Sequence, residues 1–128
     1  MYFGTSREQY LTPDQSISLT AKDYTFPADL SLNNFAFEGN WKFSSENIES
    51  EKAGGKIKLK FHSGKLHLVA ESDSPNVLHV TVDGKTQPDV TVSKSMLYTL
   101  FDSNNYTDHE VEITVSDPGF RGFTFTFG

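Results

Sequence analysis

No cysteine occurs anywhere in this sequence, which removes disulfides, thiol nucleophiles and thiolate metal ligands together. The same absence leaves the compartment open, because a chain of 128 residues is long enough to bury a core without covalent staples. Long apolar runs are also missing. No stretch approaches the roughly 18 consecutive apolar residues of a membrane-spanning helix, so direct membrane insertion is not expected. The first twenty residues lack the basic start and apolar middle of a signal peptide. Positive charge is scarce: 11 Lys and Arg face 17 Asp and Glu, a net charge of −6. That balance repels a phosphate backbone and argues against nucleic acid as a partner. Finally, no window carries sustained 3.6-residue apolar spacing, so a helical core is not expected.

Aromatic residues are plentiful, with 11 Phe, 5 Tyr and 1 Trp, and each ring removes a large apolar area from water when buried. From Asn34 onward their spacing is two, the period of a strand with one buried face. Phe35, Phe37, Trp41 and Phe43 share one parity across Gly39, where a missing side chain marks a bulge or a close approach. Ile57, Leu59 and Phe61 alternate with Lys58, Lys60 and His62, and Leu66, Leu68 and Ala70 follow. A two-residue turn at Ser63-Gly64 would set Phe61 opposite Leu66 and Leu59 opposite Leu68, which predicts a hairpin with an apolar inner face. Asp83-Gly84 resembles a second tight turn, but its register would put Val80 opposite Gln87 and His79 opposite Pro88. Residues 83 to 89 are therefore expected to form a longer excursion, with the chain re-entering a sheet at Val90 to Val92.

Further strands are expected at Met96 to Phe101, at Val111 to Val115 and at the end, where Phe123, Phe125 and Phe127 share a face. Asp102 to Asn105 is loop chemistry between them, and Ser45 to Gly55 reads as polar strand or loop. Short, turn-separated strands indicate an all-β, antiparallel two-sheet sandwich. Residues 1–32, broken by Pro13 and Pro27, read as a strap or linker packed on a sandwich at 33–128, one structural domain in all. Met1 directly before Tyr2-Phe3-Gly4 reads either as a start at a domain boundary or as a natural start.

Candidate chemistry is sparse. Ser, His and Asp are all present, yet no Gly-x-Ser-x-Gly elbow exists, so hydrolysis is not expected. Glu49 with Glu51 and Glu110 with Glu112 sit at strand spacing on outward faces, where solvation explains them. Gly54-Gly55 lacks the rest of a phosphate loop. His62 and His67 fall among lysines, which oppose a dication, and no metal or cofactor is expected. Lys58, Lys60, His62, Lys65 and His67 together form a possible basic face for an anionic partner, weighed against a solvated sheet. Trp41 and Tyr98 are candidate stacking platforms for a sugar, with Asp83 and Lys85 of the following loop as polar contacts. Core packing competes for Trp41, and both readings stand for Tyr98.

Several segments resemble the C-terminal domain of DipZ-type proteins, bacterial cytochrome c biogenesis and thiol-disulfide proteins with a membrane part and a thioredoxin-like domain. They are Tyr2-Phe3-Gly4 with Arg7, Gly39-Asn40-Trp41, Val80 to Gly84, Leu97-Tyr98 and the closing Phe123 to Gly128. The resemblance implies a jelly roll of the carbohydrate-binding-module-like, galactose-binding-like class, lying outside the cytoplasm (periplasmic or at the cell surface). It also implies an upstream thioredoxin-like domain and a membrane-embedded parent. Phe3 stands where that family has Leu, and the Thr-Pro-Glu lead-in is absent. No catalytic residue carries over. The resulting expectation is a non-catalytic accessory domain that positions the redox module or its client; the alternative is a module that binds cell-wall or other glycan.

Overall fold

The computed structural model describes every residue from Met1 to Gly128. The period-two segments become nine strands: β1 (Lys22–Tyr24), β2 (Phe35–Phe43), β3 (Ile48–Ser50), β4 (Gly55–Ser72), β5 (Asn76–Val82), β6 (Lys85–Thr86), β7 (Val90–Val92), β8 (Met96–Val115) and β9 (Phe120–Phe127). All their pairings are antiparallel. β2 pairs with both β3 and β4, β3 pairs with β9, and β9 pairs with β4, so these strands close a ring. β8 extends the sheet beyond β4 and carries β5, with β6 and β7 as short edge strands. The fold is an all-β jelly-roll sandwich with barrel-like closure.

The inward parity of β2 is as expected: Phe35, Phe37, Trp41 and Phe43 are at most 1% exposed. Gly39, at φ +89°, sits where β2 leaves β4, which it pairs through Phe37 and Glu38, for β3, which it pairs through Trp41. The rings meet at angles, Phe37 to Phe43 at 5.4 Å and 85° and Phe37 to Trp41 at 5.3 Å. Each such pair adds roughly 0.5–1.5 kcal/mol beyond area burial.

The hairpin expected at Ser63-Gly64 does not form. β4 continues through both residues and pairs along its length with β8, so that Leu59 faces Val111 and Leu66 faces Phe101. The buried parity still changes from Phe61 to Leu66, because the register shifts between Ser63 and Lys65. A two-residue turn and a one-residue bulge reverse parity equally, so alternation cannot distinguish them. Gly64 lacks the positive φ of a primed hairpin turn. Glycine is needed there for closeness, since a Cβ would lie 2.6 Å from the Ser103 carbonyl oxygen. The segments expected at Met96–Phe101 and Val111–Val115 are the two ends of β8, and the polar Asp102–Asn105 stretch is its bulged middle.

Asp83-Gly84 reverses the opposite way. It does make the tight turn, with φ of 53° and 78° and Val82 opposite Lys85. The Gln87 N–H donates to the Val80 carbonyl at 2.8 Å, and the ladder ends before Pro88. Matching inward faces are not required here because Lys85 and Thr86 lie exposed on an edge. The re-entry at Val90–Val92 is as expected, against Leu78 to Asn76. In β9 the three rings do not share a face. A register shift opposite Val69 and Ala70 skips Phe123, whereas Phe125 and Phe127 stay on one face opposite Leu68 and Leu66; Phe125 is fully buried, and Phe127, the last residue of the strand, is 39% exposed.

The first residues are part of the packing. Phe3 is fully buried, 5.0 Å from the Phe35 ring and 4.9 Å from Phe125. Farther along, the Gln15 amide accepts from the Phe37 N–H at 2.9 Å and donates to the Phe37 carbonyl at 2.7 Å. A side chain thus takes the place of a neighbouring strand.

Candidate functional site

The burial of Phe3 decides what its neighbours can do. Around it, Met1 exchanges hydrogen bonds with the Phe125 backbone, at 2.9 Å from the amine and 2.8 Å to the Met1 carbonyl. The Phe3 N–H donates to Phe123 and the Thr5 N–H to Ser44, at 3.0 and 2.8 Å. Gly4 fits because a Cβ would lie 2.3 Å from the Ser45 carbonyl oxygen. With Phe3 pointing inward, Tyr2 points outward and is 45% exposed. The Arg7 guanidinium lies 4.7 Å from the centre of the Tyr2 ring.

Met1, Tyr2, Ser6, Arg7, Gln9 and Tyr10 line an open groove of about 430 Å³. A second hollow of about 260 Å³, lined by Met1, Tyr10, Asn33 and Phe127, shares two of those residues. Tyr10 and Phe127 are each 39% exposed, so three rings border two hollows that adjoin at Met1 and Tyr10. Arg7 has no carboxylate within ion-pair distance. The adjacent Glu8 carboxylate accepts instead from the Leu11 N–H. Sequence reasoning passed over Tyr10 and Phe127 as site residues and quoted Tyr2 and Arg7 only for a resemblance. The available signal was a cluster of rings in the strap without the parity of a strand.

The residues expected to bind are scattered. Trp41 is wholly buried and its indole N–H donates to the Glu38 carbonyl at 2.9 Å, which corrects the idea of a stacking platform there. Tyr98 is half-buried against the core, its hydroxyl donating to the Lys94 carbonyl at 2.7 Å and accepting from the Ser93 N–H at 3.0 Å. That ring fastens the turn between β7 and β8. Lys85 is exposed beside Asp83 on the β5–β6 turn.

The basic face is also divided. Lys58 stands opposite Glu112, Lys60 opposite Glu110 and His62 opposite Asp108. Glu112 lies 3.8 Å from Lys58 and 3.7 Å from Lys56, and His62 meets Asp108 at 2.7 Å. Lys65 and His67 fall beyond the bulge, opposite Asp102 and Thr99, with the His67 ring bonded to the Thr99 hydroxyl at 3.0 Å. β8 thus supplies a carboxylate across from four of the five positions, which corrects the reading of one free positive face.

One arrangement has the outline of a nucleophilic triad. The Ser116 hydroxyl lies 3.4 Å from His79 Nε2, and His79 Nδ1 lies 2.9 Å from Asp89. The hydroxyl, however, donates to the Val77 carbonyl at 2.7 Å. The Ser116 and Asp117 N–H groups are also taken, by Val77 and the Asn76 side chain at 3.1 and 3.0 Å. His79 and Asp89 are more than half exposed, so water is not excluded. The alignment lacks both a free oxyanion donor and a cavity over the serine.

A second histidine is built in more firmly. His109 is 6% exposed, with Nδ1 2.6 Å from Asp83 and Nε2 3.1 Å from the Asn105 carbonyl. A carboxylate and a carbonyl only accept, so the geometry calls for both ring nitrogens to donate, as in an imidazolium. Burial alone would lower its pKa, but the bonds to Asp83 and Asn105 and the charges of Asp83 and Asp108 raise it above the ordinary histidine value. Asp83, pushed up by its own desolvation, is held below the ordinary value by His109 and by the Glu110 N–H at 2.9 Å. The pair ties the β5–β6 turn to the bulge of β8.

A family model described as "Thioredoxin like C-terminal domain" matches residues 1–128. No curated protein matches the sequence. Among solved structures, a family two carbohydrate esterase from Clostridium thermocellum in complex with cellohexaose is similar, with TM-score 0.64, 18% identity and 69% of this chain covered. An active site mutant of a family two carbohydrate esterase from the same organism gives TM-score 0.69, 18% identity and 74% coverage. The match spans 29% and 31% of those two chains, under a third of their length. Likeness at this identity shows the shared fold.

Proposed function

Because this chain belongs to the thioredoxin-like C-terminal domain family, we propose that it is a non-catalytic accessory domain of an extracytoplasmic thiol-disulfide protein of the cytochrome c biogenesis type. Its role there is to position the thioredoxin-like module or that module's client. The observation supporting the reading is a contrast within the chain. Its one Ser-His-Asp alignment lacks a free oxyanion donor, while the groove of Tyr2, Arg7 and Tyr10 is shaped and open. Tyrosine, arginine and methionine are the residues enriched where protein surfaces meet. The test is an NMR titration of the labelled domain with the thioredoxin-like domain encoded in the same reading frame. Saturable shifts at the groove are expected. A gene with no Cys-x-x-Cys domain upstream, and no such protein co-purifying, would end the reading.

A second reading, glycan binding, is favoured by the same groove, where half-exposed rings alternate with planar polar side chains, the usual composition of small-ligand sites. The esterase similar in fold was solved with cellohexaose, which makes β-linked saccharides sensible first probes. Binding would run through Tyr2 and Tyr10 rather than Trp41. Calorimetry across cell-wall fragments and simple oligosaccharides tests it, and silence throughout would reject it.

A further inference from the structure

Resting on the glycan reading, we propose that the groove takes a saccharide bearing a carboxylate, with Arg7 receiving the acid and the rings of Tyr10 and Phe127 bordering the sugar. Arg7 and Arg121 are the only arginines, and they are used differently. Arg121 is spent on Glu71 and Asp73, at 3.0 and 2.8 Å. Arg7 has a ring beneath it and no carboxylate within ion-pair distance, since Glu8, next in the chain, is turned to the Leu11 N–H. The guanidinium is a planar fork of N–H donors that matches a carboxylate, and a ring, unlike an acid, leaves that fork without a carboxylate partner. The backbone bonds of Met1, Phe3 and Thr5 hold this segment before any ligand arrives, which limits the ordering cost of binding.

The same contact selects against a purely neutral sugar. The guanidinium covers one face of Tyr2, so that face is closed to ring stacking and offers charge instead. Hollows of about 430 and 260 Å³ lie near the lower end of small-ligand sites, roughly 300–1,000 Å³. They suit one or two sugar rings better than the roughly 800 Å² a stable protein partner covers on each side.

The test titrates the labelled 128-residue chain with trigalacturonic acid and, separately, with neutral galactotriose. Resonances of Tyr2, Arg7, Tyr10 and Asn33 should move with the acid, which should bind at least tenfold more tightly than the neutral trimer. Arg7→Gln should bring the acid down to the neutral level, Arg7→Lys should fall between, and Tyr10→Ala should weaken both, with melting temperatures unchanged in all three. Equal affinity for the two trimers, indifferent to Arg7→Gln, would overturn the carboxylate assignment while leaving the glycan reading standing. No binding of the acidic trimer, beside binding of any neutral glycan in the calorimetric panel, would likewise overturn the carboxylate assignment alone, and silence of both trimers and of the whole panel would reject both. Shifts at these residues only with the thioredoxin-like domain would make the groove a protein-docking face and defeat the proposal.

Discussion

Two regions of this molecule carry cations, and they differ in what stands opposite. Along β4, Lys56, Lys58 and His62 meet Glu112 and Asp108 of β8 at 2.7 to 3.8 Å, so the charge a partner would feel is largely cancelled within the sheet. In the strap, Arg7 meets only a tyrosine ring. The richer cluster of positive residues is thus the poorer anion site, because availability of charge depends on the neighbouring strand and not on local count. The fixing differs as well. The β4 face is held by the ladder itself, whereas the Arg7 segment is held by one buried ring and a few backbone bonds.

That contrast can be broken most severely at Phe3. Phe3→Ala should cost about 3–5 kcal/mol in urea denaturation, the usual range for a buried Phe, and should abolish the groove's ligand-induced shifts. A stable Phe3→Ala with an unchanged groove would show that the strap does not depend on the core. His109→Leu is next, at about 1–3 kcal/mol near neutral pH, since it removes both hydrogen bonds of a buried ring, to Asp83 and to the Asn105 carbonyl.

The pH dependence of the Asp83–His109 pair follows from its shifts. The His109 pKa is raised, so its contribution is complete below the ordinary value of 6.5 and is lost as pH rises through the folded value. The Asp83 pKa is lowered, so its contribution is present above the ordinary 3.8 and is lost as pH falls through the folded value. The stability gap between wild type and His109→Leu should therefore be widest between those two values and narrow at alkaline pH. Denaturation curves showing a constant gap would contradict the imidazolium.

Smaller effects sharpen the comparison from the other side. Glu112→Gln, which frees Lys56 and Lys58, should change stability by about 0–1 kcal/mol at low salt and by less in 1 M NaCl, as exposed pairs do. Retention on an anionic column should rise. Arg7→Gln should alter stability least, within about 0.5 kcal/mol, because its contact is solvent-exposed. A larger loss would mean that Arg7 serves the fold and not a ligand.

Much of the core was legible because strand alternation is local. Phe35, Phe37, Trp41, Phe43, Ile57, Leu59, Leu66 and Leu68 are all buried as their spacing implied. Ser63-Gly64 and Asp83-Gly84 were misjudged in opposite senses. In the first, a bulge imitates a turn's effect on parity; in the second, an edge strand tolerates a pairing that a central strand would not. Of the site, Tyr2 and Arg7 drew notice only through resemblance, and Phe127 keeps the inward face of Phe125, its ring 5.8 Å from Phe61, yet lies exposed at the end of β9.

By itself the sequence determined the class of fold and the inward faces of its strands, since a two-residue period and bulky rings leave one way to hide apolar surface from water. Only the tertiary structure decided which strands meet, which acids cancel which lysines, and that Arg7 is left unpaired. Those outcomes rest on contacts between residues distant in the chain, and local spacing carries no record of what will stand opposite.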